Sequence, residues 1–180
     1  IEPNVGMVNV PDYRLDKLVE AYHPRSIIPA VTQFVDIAGL VKGASQGEGL
    51  GNQFLTHIRE CEAIMEVVRC FEDENIVHVH GSVDPLRDVE IIETELLLKD
   101  LDSVEKRLVT ETKNARTGGA SAKARLEACE NLKNAMSEGT PARKMLGTSD
   151  EMDSLISDLA LLTAKPVFYC ANVGEDEMLS

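Results

Sequence analysis

The chain contains no tryptophan, and aromatic residues make up only 4% of its 180 residues. Hydrophobic residues still reach 43%, near the average of globular domains, so we expect a core of leucine, isoleucine, valine and alanine. No apolar run is long enough to span a bilayer, which argues against a membrane protein. The length suits one domain with a modest insertion.

Closely spaced cysteine pairs are also absent. The four cysteines are widely scattered, and none forms the CxxC pair typical of zinc and redox sites. We therefore expect reduced thiols in a cytoplasmic protein, with no metal site built from cysteine. No signal-peptide pattern opens the chain, although its first residue is Ile1 and not an initiator methionine.

Basic residues are few and unevenly placed. The formal net charge is −13, which argues against a protein that coats nucleic acid through its whole surface. Residues 106–125, the basic segment, nevertheless hold six cations and one anion, Glu111. This segment is a candidate contact with RNA or a ribosomal surface, or a solvated surface that balances nearby acidic groups.

Strands and helices alternate along most of the sequence, which predicts an α/β fold with a mainly parallel sheet. The pattern predicts strands at residues 5–10, 31–37, 63–71 and 166–171. The third strand is uninterrupted enough to be buried on both faces. Asp12 is a candidate helix cap, and further helices are expected near residues 52–60 and 150–162.

The longest predicted helix begins at Asp84-Pro85, because Asp caps a helix and Pro suits its first turn. Apolar residues then recur at spacings of four, three and four, and a second apolar stripe follows Gly118-Gly119. Two such helices joined by glycines form an antiparallel hairpin, here a coiled coil. We therefore predict an α/β domain at residues 1–83 and 140–180, with an inserted hairpin at 84–139.

The first motif that carries chemistry, Asp36-Ile37-Ala38-Gly39, ends a predicted strand and precedes the glycine-rich residues 43–51. Ligands of α/β sheets bind at the carboxyl ends of strands. Asp36 can hold Mg²⁺ through water, since this ion keeps several of its waters. Gly39 can bring its backbone N–H to a γ-phosphate, because no side chain blocks the approach. The alternative is an acidic turn after a strand.

The second motif, Asn172-Val173-Gly174-Glu175, follows the last predicted strand. An Asn with an acidic residue three positions later is the pattern with which GTP-binding proteins read their base. An Asp in the last position pairs with guanine, whereas the longer Glu175 cannot take the same bidentate geometry. We therefore expect guanine specificity to be relaxed or lost in favour of adenine. The alternative is a solvated acidic loop.

These residues together resemble the YchF family, the Obg-like ATPases within the P-loop GTPase class. The resemblance is carried by residues 36–45 and 47–52, which look like the family's second switch, and by residues 1–4, 68–71 and 172–175. It covers essentially the whole chain. It implies a P-loop NTPase fold in which residues 1–83 and 140–180 form an incomplete nucleotide-binding domain of the G type.

The resemblance also implies which side chains act. Asn172, Val173 and Glu175 would contact adenine, so that ATP is preferred and GTP is the weaker ligand. Leu40 stands where a Ras-like enzyme carries the Gln that orients the attacking water, and an aliphatic side chain cannot do this. The family uses a histidine from another loop instead, and the matching residue is His78.

His78 has two possible roles in hydrolysis. A neutral imidazole accepts a hydrogen bond from the attacking water, whereas a protonated ring stabilises charge on the γ-phosphate. His80 is the competing candidate, and it would point to the other face if the segment is extended. A histidine with no catalytic role, in a loop beside a strand end, is the alternative interpretation.

The phosphate-binding string GxxxxGK[ST] does not occur between Ile1 and Ser180. That string supplies the backbone nest, the lysine and the Mg²⁺-binding hydroxyl of a P-loop. In the family it precedes the position of Ile1, and a β-rich domain of the TGS type follows the position of Ser180. The resemblance thus implies a cytoplasmic, ribosome-associated ATPase that switches with its nucleotide. The alternative is a nucleotide-dependent binding module with negligible turnover.

Overall fold

A computed structural model of the chain describes residues 4–37, 50–73, 75–78 and 81–175, without the side chains of 50–54. The chain divides into two compact units, Ile1–Gly39 and Leu40–Ser180. Helices and strands both occur, so the α/β fold class is confirmed. Within the described ranges, no helix has the length and apolar character needed to cross a membrane.

The first unit is a strand pair with one helix: β1 (Asn4–Asn9), α1 (Tyr13–Tyr22) and β2 (Val31–Asp36). Asp12 caps α1 by accepting a hydrogen bond from the backbone N–H of Arg14 at 2.9 Å, as predicted. β1 and β2 pair antiparallel, although the alternation of strands and helices favours parallel neighbours. A connection that contains a helix permits either direction, so alternation alone did not determine this pair.

The strands of the second unit are β3 (Ile64–Arg69) and β4 (Val167–Asn172), and α2 (Leu50–Glu60) precedes them. They pair parallel, with Ile64 opposite Val167 and Arg69 opposite Asn172. The prediction that β3 is buried on both faces is wrong for the described part of the chain. Glu66 and Val68 are buried, but the alternate residues Met65 and Val67 are 40% and 63% exposed, because the described residues cover one face only.

Two long helices separate these strands in the sequence: α3 (Pro85–Thr117) and α4 (Ala120–Ser137). Asp84 accepts a hydrogen bond from the backbone N–H of Arg87 and Pro85 occupies the first turn, which confirms the predicted helix start. With 33 residues, α3 is about 50 Å long. α4 runs back along it, because Lys133 pairs with Glu105 and Arg125 with Glu111.

The main apolar core joins this hairpin to α5 (Asp150–Leu159). Its buried members come from α3, α4, α5 and the turns beside them: Val104, Ala128, Cys129, Leu132, Met136, Ala142, Met152, Leu155, Ile156 and Leu161. Removing this apolar surface from water stabilises the three helices together. The predicted domain boundary at 139/140 therefore crosses a continuous core, and the boundary itself stays a prediction.

A buried carboxylate fastens α3 to the segment that enters β4. Asp100 is fully buried and accepts hydrogen bonds from the backbone N–H groups of Leu162 and Thr163 at 2.9 and 2.7 Å. The Thr163 hydroxyl donates a third at 2.7 Å. Burial raises the pKa of Asp100, while these hydrogen bonds lower it. The contact fixes the approach of the chain to the last strand.

Candidate functional site

Two predicted site segments follow neighbouring strand ends of the second unit. Because β3 and β4 are parallel, their carboxyl ends lie at the same edge of the sheet. The backbone N–H of Cys70 donates to the carbonyl of Asn172 at 2.8 Å, so the pairing continues to the last residue of β4. The loop that carries His78 leaves from one strand here, and residues 172–175 leave from the other.

Arg69, the last residue of β3, organises the loop that follows. Its guanidinium donates to the carbonyls of Phe71 and Ile76 at 3.0 Å each, and to that of Asp73 at 3.3 Å. The same group lies over the Phe71 ring, 4.7 Å from its centre. One side chain thus holds three loop carbonyls. The sequence analysis assigned Arg69 no role, although Arg69 belongs to residues 68–71, which carry part of the family resemblance.

His78 lies near the end of this loop and contacts the next helix. Its Nε2 is 2.9 Å from Oδ2 of Asp88, in the first turn of α3. The two side chains are only 16% and 21% exposed. The His78 carbonyl accepts a hydrogen bond from the backbone N–H of Gly81 at 3.0 Å. The imidazole is therefore tied to a regular element and does not project from the loop alone.

The predicted base-reading residues are open to a ligand. Asn172 is the exposed end of β4, Val173 is half-buried, and Glu175 is exposed. A side-chain amide, an apolar side chain and a carboxylate here offer donors, acceptors and a packing surface to a planar base. These three residues and His78 belong to the same unit: Asn172 ends β4, with Val173 and Glu175 shortly after it, and His78 lies in the loop between β3 and α3.

The other predicted site residues belong to the first unit or lie outside the described residues. Asp36 is the exposed last residue of β2 and belongs to the first unit. Gly39, Leu40 and His80 lie outside the described residues. Among the residues that are described, no three His, Cys, Asp or Glu side chains come close enough together to hold a metal ion.

A buried carboxyl group on β3 was missed by sequence reasoning. Glu66 is 8% exposed, and neither of its carboxyl oxygens has a hydrogen-bond partner among the described residues. Burial, reinforced by Glu93, raises its pKa to about 7, although Arg143 acts in the opposite direction. Glu93 accepts hydrogen bonds from Arg143 at 2.6 Å and from Tyr169 at 2.8 Å. The sequence did offer one indication of this buried group, because Glu66 is an acidic residue within a mostly apolar strand.

Nearly the whole chain aligns with curated proteins named ribosome-binding ATPase YchF. It is 50% identical over 178 residues to the one from Bacillus subtilis (strain 168) and 52% identical over 176 residues to the one from Escherichia coli O157:H7. The alignments cover 99% and 98% of the chain. This chain is a homologue of the YchF proteins. The resemblance inferred from the sequence motifs is confirmed.

A solved structure agrees with the sequence relatives. The chain matches the structure of the Schizosaccharomyces pombe YchF GTPase with a TM-score of 0.81 and 44% identity, over 99% of the chain. It spans about half the length of the YchF proteins it matches, 48% of the two curated relatives and 49% of the solved chain. No protein-family model matches it.

Proposed function

We propose that the chain is part of a P-loop NTPase that binds and hydrolyses ATP in preference to GTP and acts as a nucleotide-dependent switch. The observation that carries the proposal is the parallel pairing of β3 with β4. It supports a common site for the His78 loop and for residues 172–175. The relatives named ribosome-binding ATPase YchF and YchF GTPase support nucleotide hydrolysis and, for the former, a ribosome as partner. The proposed location of the protein is therefore the cytoplasm.

The proposed reaction is hydrolysis of the bond between the β- and γ-phosphates. The oxygen of a water molecule forms a bond to the γ-phosphorus, and the bond to the bridging oxygen breaks. ADP leaves with that electron pair, and both protons of the water end on the phosphate product, which releases one to solvent according to the pH. His78 orients the water or stabilises the charge that develops on the phosphate, because Leu40 cannot. Arg69 supports the His78 loop by holding its carbonyls.

Asp36 is the proposed contact of a Mg²⁺ ion. It is an exposed carboxylate at a strand end, and one such group suffices where a Mg²⁺ ion keeps most of its waters. When bound, the ion neutralises charge on the phosphates. Gly39 remains the proposed backbone donor to the γ-phosphate.

Glu175 is the proposed cause of the preference for adenine, together with Asn172 and Val173. The exposed carboxylate lies one residue beyond Gly174 after the end of β4. Equilibrium binding of ATP and GTP to the complete polypeptide tests this. Tighter binding of ATP supports the assignment, and Glu175→Asp should then narrow the difference. Equal or tighter binding of GTP to the unmodified protein contradicts it.

Single-turnover ATP hydrolysis by the complete polypeptide that contains this sequence tests the catalytic proposal. His78→Ala should lower the rate by roughly 100-fold, the range typical of a lost acid–base or water-orienting group. Equal rates for the two proteins remove His78 from the mechanism. Background rates in both indicate instead a binding module with negligible turnover.

The far end of the α3–α4 hairpin is the proposed contact with ribosomal RNA. Lys106, Arg107 and Arg125 of the basic segment already form ion pairs. The remaining cations, Lys113, Arg116 and Lys123, are exposed and form no ion pair with the described residues.

A charge-reversal experiment tests this contact. Reversing all three remaining charges should weaken ribosome binding and flatten its salt dependence. Unchanged binding leaves the segment a solvated surface. Because α3 starts beside His78 and extends about 50 Å, it is the proposed route by which the nucleotide state affects this end.

A further inference from the structure

The contact between His78 and Asp88 has a chemical consequence for the imidazole. Asp88 Oδ2 accepts, so the nitrogen 2.9 Å away, Nε2, must carry the hydrogen. In a neutral ring the lone pair then lies on Nδ1. A carboxylate that fixes one nitrogen of a histidine thereby selects the tautomer and the orientation of the other nitrogen.

Asp88 is well placed for this task because it is itself fixed. Its other oxygen, Oδ1, accepts from Nε and Nη2 of Arg87 at 3.1 and 3.0 Å. Arg87 in turn donates to the carbonyl of Ser82 at 2.7 Å and to its hydroxyl at 3.2 Å. The backbone N–H of Asp88 donates to the carbonyl of Asp84, the capping residue of α3, at 3.0 Å. The carboxylate therefore cannot rotate freely away from His78.

We propose that Asp88 is a positioning residue for hydrolysis: it holds His78 through Nε2–H and thereby fixes the orientation in which the imidazole acts on the attacking water. The inference rests on the proposed catalytic role of His78. It explains why a loop histidine is joined to the first turn of the longest helix. Side chains that orient a reacting group commonly matter in this way without touching the substrate.

Kinetics of the complete polypeptide test the inference with matched variants. Asp88→Ala should lower the single-turnover rate of ATP hydrolysis roughly 10-fold or more, with the Kd for ATP within about twofold of wild type. The double variant with His78→Ala should be no slower than His78→Ala alone, because the two residues act as one unit. Asp88→Glu should restore part of the rate. Glu90→Gln removes an exposed charge two residues along α3 and should change nothing.

A spectroscopic measurement separates positioning from a merely structural role. The nitrogen-15 shifts of His78 should report a single Nε2–H tautomer in the wild-type protein and a mixture in Asp88→Ala. If Asp88→Ala has a melting temperature close to that of Glu90→Gln, the first turn of α3 is still folded in the Asp88 variant. An unchanged tautomer in Asp88→Ala overturns the inference.

The kinetic outcomes distinguish this inference from the function on which it rests. A slow His78→Ala beside an Asp88→Ala of wild-type rate overturns the role of Asp88 and leaves that of His78 intact. A wild-type rate in His78→Ala overturns the proposed catalytic role of His78 itself. A slow Asp88→Ala with a mixed tautomer supports both.

Discussion

Buried carboxyl groups have hydrogen-bond partners in the helical region, which consists of α3, α4 and α5, but lack them, within the described part of the chain, in the β3–β4 pair. In the helical region Asp100 accepts three hydrogen bonds and Glu111 contacts two arginines, although both side chains are at least 97% buried. On β3, Glu66 is 92% buried, and neither of its oxygens has a partner among the described residues.

The two kinds of buried carboxyl group have different consequences for the protein. A buried polar group that is fully hydrogen-bonded specifies one arrangement of its elements. One that lacks partners loses the interactions of water without compensation, and its neutral form is favoured. The helices are thus held in a single packing, whereas β3 carries a group whose charge responds near neutral pH. Substitution of these groups should therefore change the free energy of unfolding in different ways.

Asp100→Ala is expected to have the largest effect, a loss of about 3–5 kcal/mol in the free energy of unfolding. It removes both accepting oxygens and leaves the buried backbone N–H groups of Leu162 and Thr163 without the acceptor that they have in the structure. Urea unfolding of the complete polypeptide at pH 7 measures it. Asp102→Ala, two residues along α3, removes only an exposed pair with Lys106 and should cost less than about 0.5 kcal/mol. Equal losses would contradict the fastening role.

Glu66→Gln is expected to stabilise the protein by about 2 kcal/mol at pH 8 and to have little effect at pH 5. The folded state raises the pKa of Glu66 from 4.5 to about 7, so it binds a proton that the unfolded chain has already released. The stability linked to that proton is present below pH 4.5 and is lost as the pH rises through 7. Gln stays neutral and avoids the loss.

Urea unfolding at the two pH values measures the Glu66 effect. Glu72→Gln, an exposed carboxyl group in the following loop, is the matched control and should show no pH-dependent difference. The groups that surround Glu66 are Glu93 on α3, Arg143 before α5 and Tyr169 on β4. If Glu66→Gln changes the free energy of unfolding equally at both pH values, ionisation of Glu66 does not destabilise the folded state and the prediction is wrong.

Local signals in the sequence predicted the helices well. Asp12 and Asp84-Pro85 each mark a helix start, because the capping interactions join residues no more than four positions apart. Gly118-Gly119 marks the turn between α3 and α4. The end of β4 was predicted to within one residue, at 171 against the observed Asn172, whereas the predicted end of β3 at residue 71 lies beyond the observed end at Arg69.

Interactions between distant residues were not predictable in the same way. The pairing of β1 with β2, the contact of His78 with Asp88 and the hydrogen bonds of Asp100 all depend on how separate elements meet. Periodicity describes which face of an element is apolar, but it does not say which polar groups the fold brings together. The site was therefore predicted as a set of residues, without its connection to α3.

The turn between the helices offers a smaller test of packing. A Cβ added to Gly118 would lie 2.4 Å from the Cβ of Ala122 and 2.7 Å from the carbonyl oxygen of Asn114. Gly118→Ala should therefore cost about 1–2 kcal/mol through a forced shift of the turn. The neighbouring Gly119 has open space, so Gly119→Ala should change the stability by less than about 0.5 kcal/mol. Chemical unfolding of the two variants side by side checks the difference.

The smallest effect is expected for the three cations of α3 and α4 that form no ion pair with the described residues. Replacing Lys113, Arg116 and Lys123 together by alanine should change the unfolding free energy by less than about 0.5 kcal/mol, since alanine suits helices and no ion pair with a described residue is lost. Arg125→Ala should cost about 1–2 kcal/mol, because Arg125 contacts the buried Glu111 as well as Asp158.

Urea unfolding measures these two variants under the same conditions. A triple variant as unstable as Arg125→Ala would show that its three cations are held by the protein's own acidic groups, and they would then be poor contacts for RNA. A stable triple variant that still binds ribosomes normally would remove this surface from the proposed contact without affecting the fold. Stability and ribosome binding measured on the same triple variant therefore decide whether these cations stabilise the hairpin, bind the ribosome, or do neither.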